Sequence, residues 1–210
     1  MSTRRFWLFS LSTTLLLAVL LALGTWQLQR LEWKEALIAD IQAGMEAPTQ
    51  PLPAQLKEDF EFRHYEVQGT FVHDLERHIY RPAPNGGAAY HILTPFRRKD
   101  GGYIFINRGW VPERLKNPAD RQMGQIQGDV IIRGVLRMPQ VPTRLGIRRL
   151  GDADVNVFHL FWPVELGQTV NLDMLPYYLA ADEQENPGGW PKGGVTRVNL
   201  PNNHLQYALT

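Results

Sequence analysis

Six histidines and no cysteine stand among the 210 residues. Without cysteine there are no disulfides, no thiolate metal sites and no thiol nucleophile. The three serines, Ser2, Ser10 and Ser12, all lie in or before an N-terminal apolar run. The rest of the chain therefore has no serine nucleophile, which excludes most covalent hydrolase mechanisms. His73 and His78 flank Asp74 and Glu76, a set that a hard or borderline metal could use. Their spacing fits neither a helix face nor a strand face, and the plainer expectation is an exposed polar loop. His64, His91 and His159 lie in or beside strand-like segments and are expected as packed or hydrogen-bonded rings. His204 differs, because Leu205, Ala208 and Leu209 open an apolar helical face that Asn202 or Asn203 is placed to cap. A neutral imidazole at such a place ligates haem iron or binds a polar headgroup; the bland alternative is a capping or interfacial histidine. Aspartate and glutamate are plentiful, but no pair stands out by spacing, so carboxylate acid–base catalysis has no residues assigned to it.

The elements that must position these groups begin with a membrane anchor. Arg4 and Arg5 precede a stretch from Phe6 to Gly24 that has no charge and is rich in leucine. At roughly 1.5 Å per residue it reaches about 28 Å, enough to cross a hydrocarbon core. The positive-inside rule keeps Arg4 and Arg5 in the cytoplasm or matrix and sends the remainder across. The run exceeds the usual length of a cleaved signal's apolar core, and Trp26 follows where an interfacial aromatic belongs. A retained anchor is therefore expected, with a cleaved signal peptide as the alternative. Leu28, Leu31, Leu37, Ile38, Ile41 and Met45 continue at helical spacing until Pro48, Pro51 and Pro53 break the pattern. Trp26 and Trp33 share a face with Arg30 between them. Two readings stay open there: a collar in which Arg30 meets lipid phosphates, or the border of a ligand pocket at the membrane surface.

Beyond the anchor about 186 residues remain, enough for one domain with a real core. Without Arg4 and Arg5 the chain carries 20 basic against 21 acidic residues, and the lack of a basic block argues against nucleic acid as a partner. From Phe60 the period changes to two, with Tyr65, Val67, Gly69 and Phe71 on one side. Short strands are expected at 79–81, 89–97, 102–110, 129–138, 177–180 and 195–198. Lys99-Asp100-Gly101 makes a hairpin turn, and Pro95 is expected to mark an edge or a bulge. One short helix should begin near Pro163. The fold class read from this pattern is α+β: a mainly antiparallel β-sheet domain with a few helices, preceded by an N-terminal transmembrane helix.

Several segments together resemble one family, the surfeit-locus-one proteins. They are Gly24-Thr25-Trp26-Gln27-Leu28-Gln29-Arg30 with Trp33-Lys34, Tyr65 to Phe71, Thr94-Pro95-Phe96, Asn107-Arg108-Gly109-Trp110-Val111-Pro112, Gly134 to Arg137, and Asn203 to Thr210. The resemblance implies an assembly factor for haem–copper cytochrome oxidase, not an enzyme, that assists haem a insertion or stabilisation in the catalytic subunit. It implies haem a as the cofactor, with His204 as the iron ligand and Arg30 and Trp26 at the porphyrin's edge. Implied partners are the catalytic oxidase subunit, possible contact with the haem a synthesis machinery, and membrane lipid. It also implies two spans, so the expected organisation is 1–5 cytoplasmic, 6–24 membrane span, 25–47 stalk helix, 48–200 outer domain and 201–210 the start of a second span, which is expected to be cut short in this sequence, the alternative being that this member has lost it. The expected location is the bacterial inner membrane with a periplasmic domain, or the mitochondrial inner membrane with the domain in the intermembrane space. A membrane-tethered scaffold that does not bind haem is the alternative. Asn107 to Trp110 are expected to be structural first, a turn with Arg108 fixed by hydrogen bonds, or else a docking edge for the oxidase subunit.

Overall fold

The computed structural model describes residues 3–53, 56, 60–82, 87–139, 151–152 and 156–195. Residues 140–150, most of the expected strand at 195–198, and His204 lie outside the described residues. The chain divides into an N-terminal helical unit ending at Ala43 and a β-rich unit, Gly44–Val198.

One unbroken helix, α1, spans Thr3–Glu46. Its uncharged stretch is long and apolar enough to cross a membrane, which makes this a membrane-anchored chain. Phe6, Leu11, Leu15, Leu16, Leu20 and Leu23 all stand exposed on it. Four hydroxyls in and just after this stretch bond back to the helix's own backbone. Ser12 and Thr13 donate to the Phe9 carbonyl, Thr14 to that of Ser10 and Thr25 to that of Leu21, the one place a lipid-embedded hydroxyl finds an acceptor on its own helix.

The β-rich unit contains β1 (Gln50–Pro51), β2 (His64–Phe71), β3 (Arg77–Pro82), β4 (Ala88–Arg98), β5 (Tyr103–Pro112), β6 (Val130–Arg137), β7 (Gly151–Asp152), β8 (Val157–Phe158) and β9 (Met174–Ala181), with a short helix α2 (Pro163–Gln168) before β9. Five of these strands pair in a ring. β2 pairs with β6, β6 with β9, β9 with β5, β5 with β4, and β4 returns to β2 through Gly69 opposite Arg98 and Phe71 opposite Phe96. Side chains alternate along each strand, so every second residue points into the ring. Tyr65, Val67, Phe96, Ile104, Ile106, Ile132, Leu136, Tyr177 and Leu179 fill it as one buried cluster. The ring is antiparallel except where β5 runs parallel to β9. This order, with that one parallel pair, is the topology of a five-stranded OB-type barrel. In such barrels the second and third strands and their flanking loops form the usual ligand face. Here that face is filled from within: Phe158, Phe161, Leu166, Val170 and Met174 cover Leu93, Phe105 and Tyr178.

Pro95 is neither at an edge nor in a bulge. It sits buried in β4 between two partner strands, and the register shift falls instead between His91 and Leu93. The reason lies in which partner β4 meets. Its pairing with β3 ends at Leu93 and its pairing with β2 begins at Phe96. The Pro95 carbonyl faces that side, accepting from Val72 N–H at 2.8 Å, so the missing N–H points into the gap between two ladders and leaves no sheet bond unmade.

The seam that closes the ring needs glycine at position 69. A Cβ there would lie 2.0 Å from the Arg97 carbonyl oxygen and 2.8 Å from the Phe96 ring. Gly69→Val is expected to destabilise the barrel by about 3 kcal/mol or more, measured as a lowered unfolding midpoint of the full chain in detergent by near-ultraviolet circular dichroism.

Candidate functional site

On α1 the residues expected to form the binding face come at i, i+4 and i+7, so they share one side of the helix. Trp26 is 52% exposed and Trp33 58%. The Arg30 guanidinium stacks over the Trp33 ring at 5.3 Å. The face thus offers one cation held against an indole, with a second indole one turn away. His204 lies outside the described residues, so no contact between it and this face is derived.

The Asn107-Arg108-Gly109-Trp110 motif closes on itself residue by residue near the end of β5. Gly109 has φ +112°, and a Cβ there would lie 1.8 Å from the Lys192 carbonyl oxygen. The segment at 182–194 crosses directly over this glycine, and Trp110 and Lys192 exchange two backbone hydrogen bonds of 3.0 Å. The Trp110 and Trp190 rings meet edge to face at 5.4 Å, with the Lys192 ammonium over Trp190. Arg108 points the other way, into the closed end of the barrel. It donates to the Gly124 carbonyl and to Asn186 Oδ1, and lies over the Phe71 ring at 4.8 Å. Arg108 therefore ties β2, the 3-10 turn at Pro118–Gly124 and the crossing segment together, as the hydrogen-bonded reading expected, although the motif lies within strand β5 and not in a turn.

Asn107 sets a ring tautomer. Its Oδ1 accepts from Gly109 N–H at 3.1 Å, which turns its amide nitrogen toward His91 Nδ1 at 3.3 Å. Nδ1 is then the acceptor and the ring proton sits on Nε2. Burial, and after it the Arg81 charge, pushes the His91 pKa down to about 4, and the ring packs edge-on against Phe161. Of the other two strand histidines, His64 lies 3.4 Å from Asp182 and the His159 ring meets Tyr80 edge to face.

The stretch from His73 to His78 is not an exposed polar loop. His73, Glu76 and His78 are all buried. Glu76 Oε1 receives both Arg121 and, at 2.7 Å, His78 Nε2, while His73 Nε2 donates to the Ile126 carbonyl at 2.8 Å. Burial alone would push the Glu76 carboxyl up, but the bond from His78 and the Arg121 charge outweigh it and hold the pKa below the usual range. Burial, with Arg121 nearby, brings Arg108 down to about 10, so its guanidinium is charged at neutral pH. Among the described residues no group of three His, Cys, Asp or Glu side chains can hold a metal ion, and the carboxylate of this set is already committed to Arg121. The charges of Arg108 and Arg121 were the missed part, since they lie more than 30 positions away from Glu76 in the sequence and only folding brings them to it.

A helix that crosses a membrane, followed by an OB-type barrel with one end closed by buried charge and strapped by its own C-terminal segment, defines a membrane-tethered barrel protein. A sequence model of the SURF1 family matches residues 14–210. Human Surfeit locus protein 1 is 35% identical over 206 residues, covering 90% of this chain and 67% of the human one. The mouse protein of that name is 34% identical over 210 residues, covering 92% and 67%. A SURF1-like protein of Monosiga brevicollis is 33% identical over 206 residues, covering 91% and 77%. The chain belongs to the SURF1 family.

Two outcomes follow from this geometry. Gly109→Ala places a methyl group on the Lys192 carbonyl in a strained backbone and is expected to cost roughly 2–4 kcal/mol. Brief trypsin treatment of the folded variant should cut after Lys192 much faster than in the wild type. For His91 the folded pKa lies below the ordinary value of 6.5, so as pH falls the unfolded chain takes up a proton that the folded chain refuses. Nothing is lost above about pH 6.5, and stability then declines down to about pH 4 by a total of about 3 kcal/mol. Burial lowers the pKa of His73 as well, which adds to the same decline. His91→Gln should flatten a measurable part of this slope in unfolding midpoints taken from pH 7 to pH 4.

Proposed function

We propose that this chain is a non-enzymatic assembly factor for a haem–copper cytochrome oxidase, holding haem a for the catalytic subunit while the outer domain engages that subunit. The supporting observation is membership of the SURF1 family over residues 14–210, with the exposed face of Trp26, Arg30 and Trp33 on the anchor helix. These side chains fit the edge of a porphyrin. A guanidinium pairs with a propionate by charge-assisted hydrogen bonds, and indole rings give apolar faces for a macrocycle at the depth where tryptophan sits in a bilayer. Haem a, when bound, supplies an iron whose protein ligand in this reading is His204. In this reading the main domain lies on the periplasmic side of a bacterial inner membrane, or in the corresponding mitochondrial compartment.

A scaffold that grips the oxidase subunit without haem is the second reading. Met123 favours it, because this side chain is 72% exposed and borders a hollow beside Trp190 and Pro187, the kind of composition that anchors protein interfaces. The test is an absorption spectrum of the full-length protein purified from cells that make haem a. A haem spectrum in the wild type, lost in His204→Ala and weakened several-fold in Arg30→Ala, is the expected result. A colourless wild type, with oxidase subunits still co-purifying until Gly109 is replaced, would establish the scaffold in its place.

A further inference from the structure

Arg108, Arg121, Glu76, His73 and His78 come from three separate stretches of chain, β5, the 3-10 turn at Pro118–Gly124 and the connection into β3, and meet at the closed end of the barrel. All are nearly shut off from solvent, Arg108 at 2% and Arg121 at 5% exposed. Each has one enclosed polar atom that no described group satisfies: Arg108 Nη1, Arg121 Nη1, Glu76 Oε2, His73 Nδ1 and His78 Nδ1. Buried polar atoms are paired in the great majority of cases. Five exceptions in one cluster mark a place built to hold something.

Charge says what that is. Two guanidiniums face one carboxylate, so the pit carries an uncompensated positive charge, and a buried charge without a partner is costly. A cation would be repelled by both arginines. An anion would be drawn in, and the two unused guanidinium N–H groups are its donors. Burial limits the size: with Arg108 at 2% and Arg121 at 5% exposed, a bulky carboxylate- or phosphate-bearing molecule is shut out, and the partner that suits the charge is a single small ion. The two imidazole Nδ1 atoms are lone pairs in the neutral rings and become donors on protonation. The Arg121–Gly124 turn also lines a surface hollow of about 270 Å³ with Met123, Pro187 and Trp190.

We propose that this pit binds one inorganic anion of halide size, taken up together with a proton on the imidazole side of the cluster. His73 is the group that gains it. The charges facing its ring are Arg108 from β5, Arg121 from the 3-10 turn, and Glu76 on its own connection; His78 lies on the far side of Glu76. The arginines oppose protonation, and an anion between them removes that opposition. Anion binding and protonation thus favour each other, as linkage requires.

The experiment compares thermal unfolding of the full chain in detergent in sodium chloride and in sodium gluconate of equal ionic strength, since gluconate is too large to enter. At tenfold-saturating chloride the midpoint should rise by about 3–6 °C at pH 6, and by less at pH 8. His73→Gln should keep a chloride effect but make it equal at the two pH values, and Arg108→Met should abolish it. Excess chloride-35 NMR line broadening by the native wild type, lost on unfolding, reads the same site without any variant. Equal midpoints in the two salts at both pH values, an unchanged chloride effect in Arg108→Met, or no excess broadening would each overturn the proposal.

Discussion

The β-rich domain depends on one guanidinium held out of water. Arg108 sits at the end of β5 with its charge between the Gly124 carbonyl, Asn186 and the face of Phe71. An arginine so placed is tolerable only where several partners surround it at once. Those partners come from β2, the 3-10 turn and the crossing segment, so the same requirement that holds the charge also gathers the chain. Gly109, next in sequence, allows the Lys192 backbone to come close enough for Asn186 to reach. The two neighbours act as one device, one supplying the attraction and the other the space.

Much of this was legible in the amino-acid order, and the missing parts share a cause. The alternation from Tyr65 to Phe71 shows in the sequence because strand burial is local, and Lys99-Asp100-Gly101 shows because a tight turn needs those residue types. β5 lying parallel to β9 has no local sign, since nothing in Tyr103–Pro112 reports which distant segment will lie beside it. Pro95 misled for the same reason: a proline argues against a central strand only when the strand has one partner on that side, and β4 has two in succession. The polar run from His73 to His78 looked like a surface loop because its buried partner, Arg121, is remote in sequence. On the anchor helix the spacing of Trp26, Arg30 and Trp33 shows their shared face directly, because helix geometry is local.

The barrel puts its apolar surface to use twice. Inside the ring, side chains from five strands pack against one another. Outside, the face that barrels of this topology commonly offer to a ligand is covered by α2 and the residues around β8. The sheet face is thereby occupied, while Met123 and, on the anchor helix, Trp26 and Trp33 stay exposed.

The crossing of Lys192 over Gly109 also orders events in time. Arg108 and Asn186 are 78 residues apart, so the strap cannot dock until nearly the whole domain has been made, whereas the β4–β5 hairpin joins neighbours and can form at once. In a chain that folds as it is produced, the barrel closes when β9 arrives and the strap is laid across it afterwards. The strap at 182–194 thus acts as a latch on the β-rich domain, and its fastening follows the closing of the barrel.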